Sequence, residues 1–310
     1  MNKKSSLFIV LLLCCCISLI QAQTHTSPDS LHYWKKSAIS EIAFNQASLS
    51  NWQGGGQNTI AASGFLHAFA NYDRGVHQWY NKFEAALGVV RLGDKNQPFE
   101  KSDDGLEIMS TYARDFTDRG DISKHWSATV GGDFKTTFAP GYKYGTDANG
   151  KTVQEQLLSK FMSPGYLLLN TGIKYKLKDV FYAIASPVAV RTTFLTNDSM
   201  ARVGSYGVPP GQHVRVQAGE AFAFGMKIPV MQNVVFETNL SMFADYKKLS
   251  QQAVDWTASL TCKVNSLITA NVNTHLIYDQ DIAVTRANGS VGPAVQFKEV
   301  IVVGIQYKLY

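Results

Sequence analysis

The sequence predicts an all-β protein: a transmembrane antiparallel up-and-down β-barrel of about twelve strands, with ten or fourteen as alternative counts. Three observations predict this fold. The chain begins with an export segment, apolar and polar residues alternate from about residue 38 onward, and short connections alternate with long ones. Strands of such a barrel turn successive side chains to lipid and to the lumen, so all three observations indicate the same architecture.

The N-terminus has the three parts of a secretory signal peptide. Lys3 and Lys4 supply a positive start, residues 7–20 are apolar or small, and Ala22 is a small residue suited to cleavage. Cleavage near Ala22 followed by insertion into a bacterial outer membrane is therefore expected. The expected division of the chain is a signal peptide at 1–22, an N-terminal periplasmic segment at 23–37 and the barrel at 38–310.

The composition excludes other classes of protein. Mean hydropathy is −0.10, and no second apolar run approaches the roughly 18 residues of a membrane-spanning helix. Loss of the signal peptide leaves Cys262 as the single cysteine, which excludes an internal disulfide. The formal net charge of +5 falls to +3 without Lys3 and Lys4 (5 − 2 = 3), and this balance gives no reason to expect a nucleic-acid partner.

Alternation is clearest in the second half of the chain. In the segment 234–246, Val234, Phe236 and Leu240 share one face, while Glu237 and Ser241 share the other. The same rule defines the expected strands, at 38–49, 58–72, 77–91, 105–114, 126–138, 166–177, 180–195, 213–228, 233–246, 255–264, 267–278 and 296–309. One part of a loop, Val153 to Met162, has weak helical periodicity.

The connections alternate in length as outer-membrane barrels require. Tight turns are expected at 73–76, 178–179, 229–232 and 265–266, and long loops at 92–104, 139–165, 196–212 and 279–295. The segment 115–125 is long although it lies on the side of the tight turns, which is why the strand count stays open.

The ends of the apolar faces carry aromatic residues, as in the interfacial girdles of membrane barrels. They are Trp79, Trp126, Phe138, Tyr246, Trp256 and Tyr278. The last strand has an apolar face from Ile301 to Leu309 and ends on Tyr310, which resembles the signal read by the barrel-assembly machinery. That machinery, outer-membrane lipid and subunits of an envelope complex are the expected partners.

Two residues interrupt the pattern of outward apolar residues. Glu220 falls on the apolar face that contains Val216 and Phe222, and a bulge at Gly219 is expected to turn it inward. Pro187 lies within a predicted strand and lacks an N–H group for the ladder, so a kink or bulge is expected there.

The expected lumen face carries charges of both signs. These residues are Lys82, Glu84, Asp133, Lys135, Lys174, Arg191, Arg215, Lys227, Glu237, Asp245 and Lys263. They would form either a closed, salt-bridged interior or a narrow polar path for small solutes. Lysines slightly outnumber acidic residues, which predicts a weak preference for anions.

A glycine-rich segment, 51–57, follows the first predicted strand. It is either a turn with Trp52 as an interfacial anchor or a loop whose glycines let a ligand approach the backbone. The stretch from Phe44 to Gly55 resembles the hallmark of an uncharacterised family of Bacteroidota secreted and outer-membrane proteins. That hallmark places F-x-Q-x-S-x-x-N-W before a double glycine, and here it includes Asn51, Trp52, Gly54 and Gly55. The resemblance implies class and location and no particular activity.

No motif in the sequence points to catalysis, a cofactor or a metal. None of the seven histidines begins a His-x-Ser-Asn arrangement, and no His-Glu-x-x-His, P-loop or Cys/His ligand cluster occurs. The expected function is therefore that of a non-enzymatic outer-membrane protein, either a small-solute pore or a structural subunit of an envelope complex. Two alternatives are an outer-membrane lipid hydrolase, similar to the twelve-stranded phospholipase barrel, and a soluble periplasmic β-protein whose apolar faces point inward.

Overall fold

The structure is a computed structural model, and it is nearly all strand. It describes residues 33–48, 58–93, 95–116, 126–148, 150–250, 252–265, 268–286 and 289–308. In chain order its elements are β1 (Trp34–Ala47), β2 (Thr59–Arg74), β3 (His77–Leu92), β4 (Glu100–Asp115), β5 (Trp126–Thr136), β6 (Gly141–Thr146), β7 (Thr152–Ser159), β8 (Gly165–Leu177), β9 (Phe181–Phe194), α1 (Asp198–Val203), β10 (Val214–Met231), β11 (Val234–Asp245), β12 (Gln252–Lys263), β13 (Ile268–Asp279), β14 (Val284–Thr285), β15 (Val291–Gly292) and β16 (Gln296–Lys308).

Within these ranges, twelve strands form a closed antiparallel barrel, which confirms the predicted fold and strand number. The order around the ring is β1-β16-β13-β12-β11-β10-β9-β8-β5-β4-β3-β2. Strands adjacent in the barrel are therefore consecutive in the chain, except where a hairpin intervenes and where β1 pairs with β16 to close the ring. The two hairpins, β6–β7 and β14–β15, stand apart from the ring. The first lies in the loop where weak helical periodicity had indicated a helix, and Val153 is instead part of strand β7.

The connections separate the barrel into two ends. Arg74 and His77 are joined by a two-residue turn, and short turns also follow β8, β10 and β12. The other end carries the long segments 137–164, 195–213 and 280–295 and is called the loop end below. The long connection between β4 and β5 lies mostly outside the described residues, as does the glycine-rich segment with Asn51, Trp52, Gly54 and Gly55.

The apolar face of the strands points away from the lumen. Val130, Val216 and Ile301 are 61%, 63% and 69% exposed, although each lies within a strand of the ring. A soluble β-protein would bury these side chains, because exposing a continuous apolar wall to water is unfavourable. The requirement of the soluble alternative, apolar faces that point inward, is therefore not met.

Aromatic residues follow one another across neighbouring strands near the end with the short turns. The ring centroids of Trp126 and Tyr175 are 4.9 Å apart, those of Tyr175 and Phe181 5.9 Å, and those of Phe181 and Phe224 6.1 Å. Trp79 on β3 is also exposed at this end, and Phe138 and Tyr246 are exposed at the loop end. This distribution fits the two-girdle pattern predicted from the sequence.

The strand irregularity predicted at Pro187 is confirmed, whereas the bulge predicted at Gly219 is wrong. Pairing between β9 and β10 passes from Ala189–Gly219 to Ser186–Ala221, so two residues of β9 stand opposite Glu220 alone. The pairing of β10 with β11 is continuous through Gly219, Glu220 and Ala221. Because the extra residue belongs to β9, alternation in β10 is uninterrupted and Glu220 stays on the outer face, where it is exposed.

The first and last strands of the ring close it in a defined register. Ala43 of β1 is opposite Gly304 of β16. The Glu41 carboxylate accepts hydrogen bonds at 3.1 and 3.2 Å from the side-chain amide of Asn271, which belongs to β13 on the far side of β16. A Cβ at Gly304 would come within 3.2 Å of Glu41 Oε1. The absence of a side chain at Gly304 therefore leaves room for Glu41 to reach Asn271 across β16.

Candidate functional site

The inner face of the barrel holds the candidate site, because strand alternation that turns apolar residues outward turns polar ones inward. A group of charged and imidazole side chains meets halfway along the lumen. We call this group the mid-lumen belt and define it as His67, Lys82, Glu84, Glu107, Asp133, Lys135, Asp255 and His275.

One side of the mid-lumen belt is built on four neighbouring strands, β2 to β5. Lys82 Nζ lies 3.1 Å from Glu84 Oε2 and 2.9 Å from Glu107 Oε1. His67 on β2 is 3.4 Å from the Glu84 carboxylate. Register places these residues side by side, since His67 pairs with Glu84 and Glu84 with Glu107.

The other side of the mid-lumen belt comes from β12 and β13, and one ion pair joins the two sides. Lys135 Nζ on β5 lies 3.0 Å from Asp255 Oδ2 on β12. These strands are five steps apart around a ring in which six steps would be directly opposite. His275 on β13 lies 2.9 Å from the second oxygen of Asp255. The Lys135–Asp255 pair therefore crosses the lumen and divides it at this level.

The side chains of the mid-lumen belt are partly exposed to the lumen. Lys135 and Asp255 are each about one third exposed (33% and 30%) even though they bridge the barrel interior. The apolar side chains that are buried together in the described residues are Leu195, Met200, Ala201 and Val208, in the loop-end segment that contains α1. The middle of the lumen is therefore lined by partly hydrated charges.

Further contacts cross the lumen above and below this level. Towards the loop end, Arg191 on β9 pairs with Asp279 on β13, four strands away. In the same region, Lys298 on β16 lies 2.7 Å from Asp103 on β4. Near the short turns, Lys174 on β8 donates a 3.2 Å hydrogen bond to Gln78 on β3 and lies over the ring of Tyr80.

The predicted lumen-facing residues occupy several levels. Four of them belong to the mid-lumen belt, namely Lys82, Glu84, Asp133 and Lys135. Arg215 pairs with Asp281 at 2.8 Å, and Asp245 accepts a hydrogen bond from Gln217 near the loop end. Lys227 and Glu237 pair with each other at 2.8 Å towards the short turns. Lys263 is the last residue of β12 and is exposed.

Sequence reasoning missed His67, Glu107, Asp255 and His275, which complete the mid-lumen belt. Glu107 lies within the strand predicted at 105–114, at a position that alternation assigns to the inner face, so the sequence could have identified it as lumen-facing. Asp255 was assigned to the first residue of a predicted strand, whereas β12 begins at Gln252. Their meeting with Lys135 had no signal in the sequence, because the partners are 28 and 120 residues apart.

The charge balance at the mid-lumen belt is negative. In the described part of the lumen at this level there are two lysines and four carboxylates, a net charge of −2 with neutral histidines. The sequence had predicted a slight excess of positive charge and weak anion preference. The predicted excess concerned the whole inner face; at the mid-lumen belt, Glu107 and Asp255 make the local balance negative.

The loop end carries a folded segment that includes α1. Asn197 caps α1 by accepting a hydrogen bond from the Met200 backbone N–H at 3.1 Å, and Tyr206 donates a 2.6 Å hydrogen bond to the Leu158 carbonyl of β7. Burial raises the pKa of the Tyr206 hydroxyl, which therefore stays protonated as a donor. Gly207 has a φ of +77°, and a Cβ at this position would overlap the side chains of Arg215 and Asp281. The glycine therefore lets this segment pack directly against that ion pair.

The histidines use partners other than serine in the part of the chain that the structure covers. His67 contacts Glu84, His77 contacts Tyr112 and His275 contacts Asp255. His213 bonds the Leu195 carbonyl and lies 3.7 Å from Asp198. The lipid-hydrolase alternative needs a histidine beside a serine, and the described residues provide no such pair.

Two other kinds of feature are absent from the same described residues. No helix among them is long and apolar enough to cross a membrane. No group of three or more histidine, cysteine, aspartate or glutamate side chains within them is arranged to hold a metal ion.

Comparison with known proteins gives one family match and several structural likenesses. Residues 44–142 match the model of a protein family of unknown function, DUF3078, and the match begins at the first residue of the motif described above. No curated protein matches the sequence.

The similar solved structures include a porin, a channel and a translocator. The NanC porin has a TM-score of 0.39 and 8% identity, over 88% of this chain and 100% of that chain. An outer membrane channel from Pseudomonas putida F1 has a TM-score of 0.36 and 11% identity, over 92% and 99%. The translocator domain of the autotransporter NalP from Neisseria meningitidis has a TM-score of 0.34 and 6% identity, over 98% and 97%. The chain is thus similar to outer-membrane barrels and, over about a third of its length, to a family of unknown function.

Proposed function

We propose that this protein is a non-enzymatic outer-membrane barrel that conducts small cations through a constricted, water-filled lumen. The outward apolar wall and the aromatic rows support placement in a membrane, with the loop end outside the cell. The observation that carries the conduction proposal is the mid-lumen belt, where partly exposed charges of both signs meet and one ion pair crosses the lumen.

The excess of carboxylates sets the proposed selectivity. A charged ring in a pore attracts ions of the opposite sign, and an interaction of unit charges about 5 Å apart in water is worth about 0.8 kcal/mol. With four carboxylates against two lysines, cations are favoured over anions at this level. The Lys135–Asp255 pair limits the size of solute, because the path divides around it.

A closed structural subunit of an envelope complex is the second candidate, and the cross-lumen contacts favour it. The Lys135–Asp255, Arg191–Asp279 and Lys298–Asp103 pairs all join distant strands, so in this conformation the lumen resembles a braced interior. The two candidates differ in whether ions pass.

Recording from planar bilayers distinguishes the candidates. The refolded wild-type protein is expected to give small stepwise conductances, with a reversal potential in a KCl gradient that indicates cation preference. Asp255→Asn removes one carboxylate and weakens the cross-lumen pair, so the cation preference should fall. A correctly folded protein that gives no stepwise conductance would exclude the pore and favour the structural subunit.

A further inference from the structure

The outer wall of the barrel has a groove that conduction does not use. It has a volume of about 310 Å³ and lies on β9, β10 and β11. Its apolar lining includes Pro187, Phe222, Met242 and Ala244, and Glu220 is the acidic residue among the residues that line it. The prediction that Glu220 would turn inward is wrong, so its outward position needs a physical account.

The bulge in β9 creates the groove. Pro187 and Val188 together stand opposite Glu220, which displaces β9 locally from β10. The Tyr246 hydroxyl donates a hydrogen bond to the carbonyl of Pro187, a residue that lines the groove, so the bulge is held to the strand end of β11. The concavity is therefore part of the fold at this position and does not depend on a flexible side chain.

The charge of Glu220 has no counterpart in the described part of the chain. Its strand neighbours on the outer face are Ala218 and Phe222, and the structure shows no ion pair to its carboxylate. A carboxylate that faces lipid is unfavourable unless a cation or a hydrogen-bond donor meets it. A positive group in the molecule that covers the groove would therefore stabilise the Glu220 carboxylate.

The depth of Glu220 along the barrel places its carboxylate near the level of the lipid headgroups. The outer run of β11 has its midpoint at Leu240, which pairs with Phe224, and Glu220 lies four residues further towards the loop end. With a rise of about 3.3 Å per residue and a tilt of about 40°, Glu220 lies about 10 Å from the midplane. The apolar band of such barrels extends about 12 Å from its midplane, so the carboxylate is just inside the polar boundary.

We propose that the groove binds a membrane lipid whose headgroup carries a primary ammonium group. The ammonium meets Glu220 at the boundary, and part of an acyl chain lies against Phe222 and Met242. The groove has the volume of about ten water molecules, which suits a chain segment. A stable protein interface needs about 800 Å² from each partner, far more than this groove offers. The inference rests on the membrane placement in the proposed function but not on conduction.

Native mass spectrometry of the purified barrel tests this inference, with phosphatidylethanolamine, phosphatidylcholine and phosphatidylglycerol as competing probes. Wild-type protein should retain phosphatidylethanolamine preferentially, because the quaternary ammonium of phosphatidylcholine has no N–H to donate. Glu220→Gln should reduce that retention about fivefold, the factor expected for one partly exposed ion pair. Glu299→Gln is the matched control, since Glu299 is also exposed on the outer face and does not line the groove.

A second variant separates the groove from the charge. Met242→Trp fills the groove while Glu220 remains, and it should also lose the preference. Equal retention of phosphatidylethanolamine by wild type and Glu220→Gln, or equal retention of phosphatidylethanolamine and phosphatidylcholine by wild type, would overturn the inference. The inference would also be overturned if the wild-type barrel showed no lipid preference and instead co-purified with a protein that Glu220→Gln fails to retain. Conductance recorded on the same preparation tests the proposed function independently.

Discussion

Replacement of Lys135 by methionine tests the chemistry of the mid-lumen belt most directly. The substitution keeps most of the side-chain length and removes one positive charge, so the net charge at this level changes from −2 to −3. It also removes the arm that reaches Asp255 across the lumen. Asp255 keeps His275 as a partner, so the remaining carboxylate is not isolated.

The expected magnitude follows from Coulomb's law. A permeant ion that passes about 5 Å from the position of Lys135 Nζ gains or loses about 0.8 kcal/mol in water. The effect has opposite signs for cations and anions, so their ratio changes by about 1.6 kcal/mol before screening. At 0.1 M salt the Debye length of about 10 Å reduces this to about 1 kcal/mol, a change of about fivefold in the cation-to-anion preference.

Reversal potentials and single-channel conductances in a KCl gradient measure both consequences. Lys135→Met should increase the cation preference about fivefold and raise the conductance. Lys227→Met is the matched control, because Lys227 loses the same charge at an exposed pair with Glu237, away from the mid-lumen belt. An unchanged reversal potential in Lys135→Met, or an equal shift in the control, would refute the assignment of this level as the selectivity-determining constriction.

Two further predictions concern the folded state. Tyr206→Phe removes the hydrogen bond to the Leu158 carbonyl and should destabilise the loop-end segment by about 1 kcal/mol; hydrogen exchange of that segment measures it, and unchanged protection would contradict the prediction. Gly172→Val should impair barrel formation, because its Cβ would overlap the Ala185 carbonyl beside the bulge. Gly64→Val is the control, since nothing lies within 4 Å of its Cβ position, and heat-modifiable electrophoretic mobility should separate the two.

The strands were predictable from the sequence because their cause is local. In the segment 234–246, every second side chain faces outward and must be apolar. The alternating positions of Phe236 and Leu240 therefore predict the strand without information from any other part of the chain. Turns are equally local, as at the two-residue connection after Arg74. The boundaries were less accurate, since β4 begins at Glu100 and was predicted from 105, because polar residues at a strand end resemble loop residues.

The site was less predictable because its contacts depend on the closure of the ring. Lys135 was recognised as a residue of the inner face, but its partner Asp255 is 120 residues away. Which inner residues meet depends on strand order, register and shear, and these are properties of the whole barrel. Glu220 shows the same limit: its own strand is regular, and the bulge that shapes its surroundings belongs to β9.

The contact between Glu41 and Asn271 has a consequence for how the barrel is completed. The two side chains are 230 positions apart and reach each other across Gly304 of the intervening strand. A shift of β1 by one residue would turn Glu41 to the lipid and separate the pair, since side chains alternate between faces. The amide and carboxylate therefore meet only when the first strand pairs with the final one in this register, so the contact favours one way of closing the ring over its one-residue neighbours.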